Sequence, residues 1–175
     1  GGKTRTEGTV TTTGEGADLR VTIRVADLAG NTTEAMAGPF KVDTTPPVVK
    51  ATPPDATRWY REDVSVPCTA TDALSGLASA GDASFTLLAR GEGASVSTGT
   101  RTVSDKAGNT TTVGPYTFQI DKTPPTGSLK INDGAATTDL TTVTLTITAI
   151  DAASGVAEMR FSNDGSTWSD WEPFK

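Results

Sequence analysis

The chain has 175 residues, with 18 Gly, 10 Pro and only 6% aromatic side chains, a composition that suits short strands and turns better than helices. Fifteen basic against 21 acidic residues leave a net charge of -6, so no basic footprint exists for nucleic acid or an anionic membrane surface. The absence of histidine and the single cysteine exclude the usual general base, the commonest zinc ligand, Ser-His and Cys-His nucleophile pairs and an intrachain disulfide.

Gly1-Gly2-Lys3 opens without Met or a signal-peptide apolar region, as expected of a segment excised from something longer, and no apolar run approaches the roughly 18 residues of a membrane span. After the Gly14-Glu15-Gly16 loop, Leu19, Val21, Ile23 and Val25 alternate with Arg20, Thr22 and Arg24, the period-two mark of a half-buried strand. Asp27-Leu28-Ala29-Gly30-Asn31 reads as a hairpin turn in which the Asp side chain caps and the Gly adopts a left-handed conformation. Beyond Thr44-Thr45-Pro46-Pro47, strands are expected at 48–52, at 63–71, in a middle segment around 83–88, at 95–104 and at 112–120. In Val64-Ser65-Val66-Pro67-Cys68-Thr69-Ala70 the residues 64, 66, 68 and 70 share one face, which places Cys68 in the core as a small hydrophobe rather than at the surface as a reactive thiol. Arg101 falls where Ile23 does in the first strand, so a bulge or register change is expected near Gly99.

Self-similarity organises these elements. Asp27-Leu28-Ala29-Gly30-Asn31-Thr32-Thr33 returns as Asp105-Lys106-Ala107-Gly108-Asn109-Thr110-Thr111, and Val42-Asp43-Thr44-Thr45-Pro46-Pro47 returns as Ile120-Asp121-Lys122-Thr123-Pro124-Pro125. Val64 to Leu77 likewise matches Val143 to Val156. The offset is 78 in the first two cases (27 to 105, 43 to 121) and 79 in the third (72 to 151). A fixed period implies equivalent modules, cut where proline interrupts strand pairing. Residues 1–43 are then the C-terminal part of one module, 44–121 a complete one, and 122–175 the N-terminal part of a third. About seven short strands per period predict an all-β fold of immunoglobulin-like β-sandwich modules in tandem, the terminal ones incomplete.

Trp59-Tyr60-Arg61-Glu62-Asp63-Val64, the Thr71-Asp72-Ala73-Leu74-Ser75-Gly76 segment, Asp105-Lys106-Ala107-Gly108-Asn109 and Asp121-Lys122-Thr123-Pro124-Pro125 together resemble the bacterial Ig-like repeats of large secreted, cell-wall and adhesin-like proteins. Residues 138–174, with Ser154-Gly155-Val156 and Phe161 to Trp168, resemble the front half of a related repeat. The resemblance implies an extracellular or cell-surface setting and no enzyme activity. Members often carry a second cysteine able to pair with the one in this strand; Ala80 stands in that neighbourhood here, so that disulfide does not carry over.

The carboxylates are the one chemistry worth weighing. In such a module the end of the second strand, the last hairpin turn and the chain entry share one pole. Asp43, Asp72 and Asp105 are therefore expected to converge, with Glu15 facing them, and the next junction repeats the pattern with Glu92, Asp121 and Asp151. Carboxylates beside loop carbonyls suit Ca2+, a hard cation taking about 6 to 8 oxygens. The same acids equally serve as strand ends and turn caps, and both readings stand at this point. Asn31-Thr32-Thr33 and Asn109-Thr110-Thr111 fit the glycosylation pattern, but a hairpin turn already explains the Asn. Trp59, Tyr60, Phe161, Trp168 and Trp171 are expected to fill core and strand edges rather than form a sugar platform.

These readings lead to a non-catalytic spacer or stalk, stiffened by proline and, on the metal reading of the acids, by Ca2+ at the joints, whose partners are neighbouring modules of its own chain. The alternative is an adhesive or carbohydrate-binding module that engages a glycan or a surface protein. Nucleic acid and membrane insertion are excluded as partners. Incomplete modules at both ends leave unpaired strand edges that invite association between molecules.

Overall fold

The computed structural model describes residues 4, 6–12 and 14–175, whose regular structure is β apart from two short 3-10 turns. The strands are β1 (Gly16–Ala26), β2 (Thr32–Val42), β3 (Val48–Ala51), β4 (Trp59–Tyr60), β5 (Val64–Thr71), β6 (Ser84–Ala89) and β7 (Gly93–Ser97). They continue with β8 (Arg101–Ser104), β9 (Thr110–Val113), β10 (Thr117–Ile120), β11 (Thr126–Ile131), β12 (Leu145–Ile150), β13 (Glu158–Met159) and β14 (Glu172–Pro173). They form small sheets in the orders β1-β2, β3-β5-β6, β4-β10-β7, β8-β9, β11-β12 and β13-β14. The pairs β1-β2, β3-β5, β7-β10, β8-β9, β11-β12 and β13-β14 are antiparallel, and β4-β10 is parallel. This all-β arrangement of short strands is that of an immunoglobulin-like β-sandwich.

The chain divides into two compact units, and the boundary runs through β5 and β6. The first comprises Gly1–Pro53, Val66–Leu87 and Gly99–Pro115. Alternation in β5 turns Val66, Cys68 and Ala70 inward, with Phe85 and Leu87 from β6 and Val103 and Val113 from β8 and β9 also buried. Cys68 is 1% exposed, and burial raises its thiol pKa above the ordinary value, as a core hydrophobe requires. Arg101, which stands where an Ile occupies the earlier repeat, lays its guanidinium 4.3 Å from the Phe85 ring centroid and pairs with Asp82 at 2.6 Å. A cation therefore tolerates this position because a ring and a carboxylate receive it.

The second unit comprises Pro54–Ser65, Leu88–Thr98 and Tyr116–Lys175. Val64, Ala89, Val96, Phe118 and Ile120 are buried in it. Tyr60 meets Phe118 edge to face at 6.0 Å and donates its hydroxyl to the Asp55 carbonyl at 2.7 Å, so the ring is packed while its polar end is satisfied.

Two predicted strands differ from expectation. The run 95–104 is not continuous but splits into β7 and β8, and 112–120 splits into β9 and β10. Gly99 has a φ of 73° and Gly114 a φ of 82°, and a Cβ at Gly114 would sit 2.5 Å from the Gly99 carbonyl oxygen. Glycine at 114 is thus required twice over, by dihedral and by close approach, and Pro115 brings no N–H to continue the ladder. Each half-strand finds its own partner, β8 with β9 and β7 with β10.

Candidate functional site

Both Thr-Pro-Pro junctions are held by closely parallel sets of hydrogen bonds. At the first, the Thr44 N–H and hydroxyl donate to Glu15 Oε2 at 2.9 and 2.8 Å, and the Thr45 hydroxyl donates to Glu15 Oε1 at 2.8 Å. Asp43 accepts the Thr45 N–H at 3.1 Å on one oxygen and the Ser75 N–H at 2.8 Å on the other. Asp72 Oδ1 collects the Leu74 N–H at 3.2 Å, the Ser75 hydroxyl at 3.4 Å and the Gly76 N–H at 2.6 Å.

The second junction repeats this position by position, except that Lys122 stands where Thr44 does and brings no hydroxyl. Glu92 accepts the Lys122 N–H at 2.7 Å and the Thr123 hydroxyl at 3.2 Å. Asp121 accepts the Thr123 N–H at 3.1 Å and the Ser154 N–H at 3.0 Å. Asp151 Oδ1 collects the Ala153 N–H at 3.1 Å, the Ser154 hydroxyl at 3.4 Å and the Gly155 N–H at 2.7 Å. Lys122 adds an ammonium bond to Asp63 at 2.5 Å.

The two Asp-x-Ala-Gly-Asn turns are capped as their sequence suggests. Asp105 accepts the Asn109 N–H at 2.8 Å and its side-chain amide at 2.7 Å, while Gly108 takes a φ of 98°. Asp27 does the same for Asn31 at 2.8 Å on both bonds. Asn109 Nδ2 also donates to the Asp43 carbonyl at 3.0 Å, tying the turn to the first junction.

Hydrogen bonds donated to a carboxylate favour its ionised form, and the pKa values of Glu15, Asp43, Asp105 and Asp121 are lowered accordingly. The Thr44 N–H, then the Thr45 and Thr44 hydroxyls, hold Glu15 below the usual carboxylate range. The Ser75 side chain is the largest influence lowering Asp43, and the Ser154 side chain the largest lowering Asp121, with backbone N–H groups adding to both. For Asp105, only 2% exposed, burial opposes ionisation most, but the Asn109 side chain and N–H and the Gly108 N–H outweigh it and leave the group lowered.

Of the seven acids singled out, Asp43, Asp72 and Asp105 come together, with one carboxylate oxygen from each within 4.8 Å of the others. Glu15 lies outside that trio, engaged with Thr44 and Thr45. Glu92, Asp121 and Asp151 form no such three-carboxylate group among the described residues. Sequence reasoning missed the donors: Thr44, Thr45, Ser75, Thr123, Ser154 and Asn109. The assignment of Glu15 to one junction and Glu92 to the next, 77 residues apart against 78 for the junctions, was read from the sequence, but not the donors each would take.

The expectation that Trp168 and Trp171 fill the core is corrected. They are 48% and 57% exposed, and the Arg160 guanidinium lies over both rings, 4.7 and 4.5 Å from the centroids. A cation over each ring, rather than burial in the core, accounts for their placement. Trp59, Tyr60 and Phe161 are half-buried.

The segment that carries β10, the Asp105 turn and Asp121 also carries a family match. Residues 96–122 match the family model of the Bacterial Ig-like domain. No curated protein and no solved structure gives a significant match. The Ig-like match suggests a non-catalytic structural or surface module, and bacterial Ig-like domains are commonly extracellular or surface-associated. Among the described residues no helix is long and apolar enough to cross a membrane.

Proposed function

We propose that this chain is a structural spacer of tandem Ig-like modules, divided at 43/44 and 121/122, in an extracellular or cell-surface protein of adhesin or cell-wall type. The observation that carries the reading is the recurrence of one set of hydrogen bonds at both Thr-Pro-Pro junctions. Proline limits the backbone there, and a Glu from one side and a Ser-Gly loop from the other grip the residues before it. A joint so tied resists bending, which is what a stalk needs and a flexible tether does not. Small-angle scattering of the wild-type chain against Glu15→Ala/Glu92→Ala tests this. The double variant is expected to show greater extension variability, and identical profiles would remove the argument.

A second reading of the first junction rests on the meeting of Asp43, Asp72 and Asp105. On it, Ca2+ binds these carboxylates and stiffens the joint further, at the weak affinities usual for extracellular modules. Calorimetric titration with Ca2+, paired with thermal unfolding with and without chelator, decides it: heat with a raised midpoint supports the ion. No heat and no shift leave the hydrogen bonds alone. On the spacer reading a glycan array returns nothing specific, whereas a specific hit would favour an adhesive or carbohydrate-binding module.

A further inference from the structure

The tripeptide Asn-Asp-Gly occurs twice, as Asn132-Asp133-Gly134 and as Asn163-Asp164-Gly165, and the fold holds the two copies differently. In both the aspartate is exposed and the glycine is left-handed, with a φ of 95° at Gly134 and 70° at Gly165. An Asp-Gly pair has a reaction of its own. The glycine nitrogen, with no Cβ beside it, can attack the carboxyl carbon of the preceding aspartate and close a five-membered imide. Exposure and sequence being matched, what separates the two copies is how each carboxyl is held.

Asp164 is held firmly. Its Oδ1 accepts the Thr167 N–H at 2.7 Å, the Ser166 N–H at 2.8 Å and the Ser162 hydroxyl at 3.0 Å. The Thr167 and then the Ser166 N–H are the largest influences keeping this carboxyl well below the usual carboxylate range, and an ionised carboxylate is a poor electrophile. Asp133 receives only the Thr146 hydroxyl, at 3.5 Å, the outer limit of hydrogen-bond distance.

The backbone sharpens the contrast. Among the described residues, the non-glycine positions with positive φ are Asn132 at 45° and Asp133 at 56°, a conformation that crowds the Cβ of an L residue. Thr144 pins Asn132 twice, accepting its N–H at 2.8 Å and donating its own N–H to Asn132 Oδ1 at 2.8 Å. Asp133 has no such anchor. Its ψ of 23° turns the Gly134 nitrogen away from the carboxyl, so ring closure needs that peptide to rotate, at the expense of the turn bond from Ala135 N–H to the Asn132 carbonyl at 3.1 Å.

We propose that Asp133 is a site of spontaneous isoaspartate formation and that Asp164, in the same tripeptide, is protected. The Gly134 nitrogen bonds to Asp133 Cγ of the neutral carboxyl, and the amide proton and the carboxyl hydroxyl leave together as water. A second water opens the imide. Attack at the main-chain carbonyl carbon leaves a free α-carboxylate and a chain that runs through Cβ, whereas attack at Cγ restores aspartate. One water leaves and one enters, with no change of oxidation state. The β-linked product no longer has the left-handed α-backbone at Asp133, so the reaction removes that strain. The inference does not rest on the spacer reading.

Ageing the 175-residue chain at neutral pH and physiological temperature, folded and in urea, tests it. Electron-transfer fragmentation of the resulting peptides distinguishes isoaspartate from aspartate at each site. In the folded chain residue 133 is expected to convert at least about tenfold faster than residue 164, the factor implied by the additional hydrogen bonds on the Asp164 carboxylate. In urea the two sites are expected to convert at similar rates, because the tripeptide is the same. Asp133→Glu should abolish the signal at 133, since the six-membered imide closes far more slowly, and Ser162→Ala should raise the rate at 164. Equal folded rates at the two sites, faster conversion at 164, or no conversion at 133 in a folded chain that converts there readily in urea would each overturn the proposal.

Discussion

Replacing Val103 and Val25 by alanine, one at a time, removes the same two methyl groups from the same place in two copies of one hairpin. At Val103, with 0% exposure, the transfer term is about 1.6 kcal/mol at about 0.8 kcal/mol per methylene. The void left behind adds about 1 kcal/mol for a cavity of roughly 45 Å³ at about 24 cal/mol per Å³. At Val25, 53% exposed, about half the transfer term remains, close to 0.8 kcal/mol, and no cavity forms. Urea unfolding followed by far-ultraviolet circular dichroism reads the difference. With a slope of about 2 kcal/mol per M, Val103→Ala lowers the midpoint by roughly 1.3 M and Val25→Ala by roughly 0.4 M. Equal shifts, or a larger one at Val25, would refute the claim that the two hairpins differ in what covers them.

Glu92→Ala should speed amide exchange at Lys122 by about five- to tenfold, the factor expected for one lost hydrogen bond, while Glu92→Gln retains most of the protection. Unchanged exchange in the alanine variant would show that Lys122 N–H is protected by something else. Asp43 and Asp121 have lowered pKa values in the fold, so the stability they contribute is present above the unfolded value of about 4 and is lost as pH falls through the folded values. Asp43→Asn should flatten that acid slope in a pH-resolved melting series, and a slope equal to wild type would remove Asp43 from the account. Cys68 should react with a thiol reagent only at the rate of unfolding, and Cys68→Ser should cost about 1 to 3 kcal/mol by burying a hydroxyl; rapid labelling of the folded chain would contradict its burial.

Much of the strand pattern was legible because period-two alternation leaves a direct mark. Val64-Ser65-Val66-Pro67-Cys68-Thr69-Ala70 reads as a strand with 64, 66, 68 and 70 inward, and those four are buried. The Asp-x-Ala-Gly-Asn turns were legible for the same kind of reason, a side-chain cap and a left-handed glycine written in the letters. The split of 95–104 and 112–120 was only half visible: Gly99 and Gly114-Pro115 signal an interruption, but which partner each half takes depends on residues distant in sequence. Trp168 and Trp171 misled because size argues for the core, whereas Arg160 between them is a tertiary circumstance. At the junctions the acids could be named from sequence. Most of what fills them could not, because backbone N–H groups carry no letter of their own.

The hydrogen bonds at the junctions join residues far apart along the chain. Thr44 and Thr45 reach back 29 and 30 positions to Glu15, Asp43 reaches forward 32 to Ser75, and Asp121 reaches forward 33 to Ser154. Neither junction is therefore complete until the strands on both of its sides have formed, and unfolding on one side strands polar groups on the other. On the spacer reading proposed above, such nearest-neighbour coupling makes an array respond to pulling as linked segments, in which the loss of one weakens the next, rather than as independent beads.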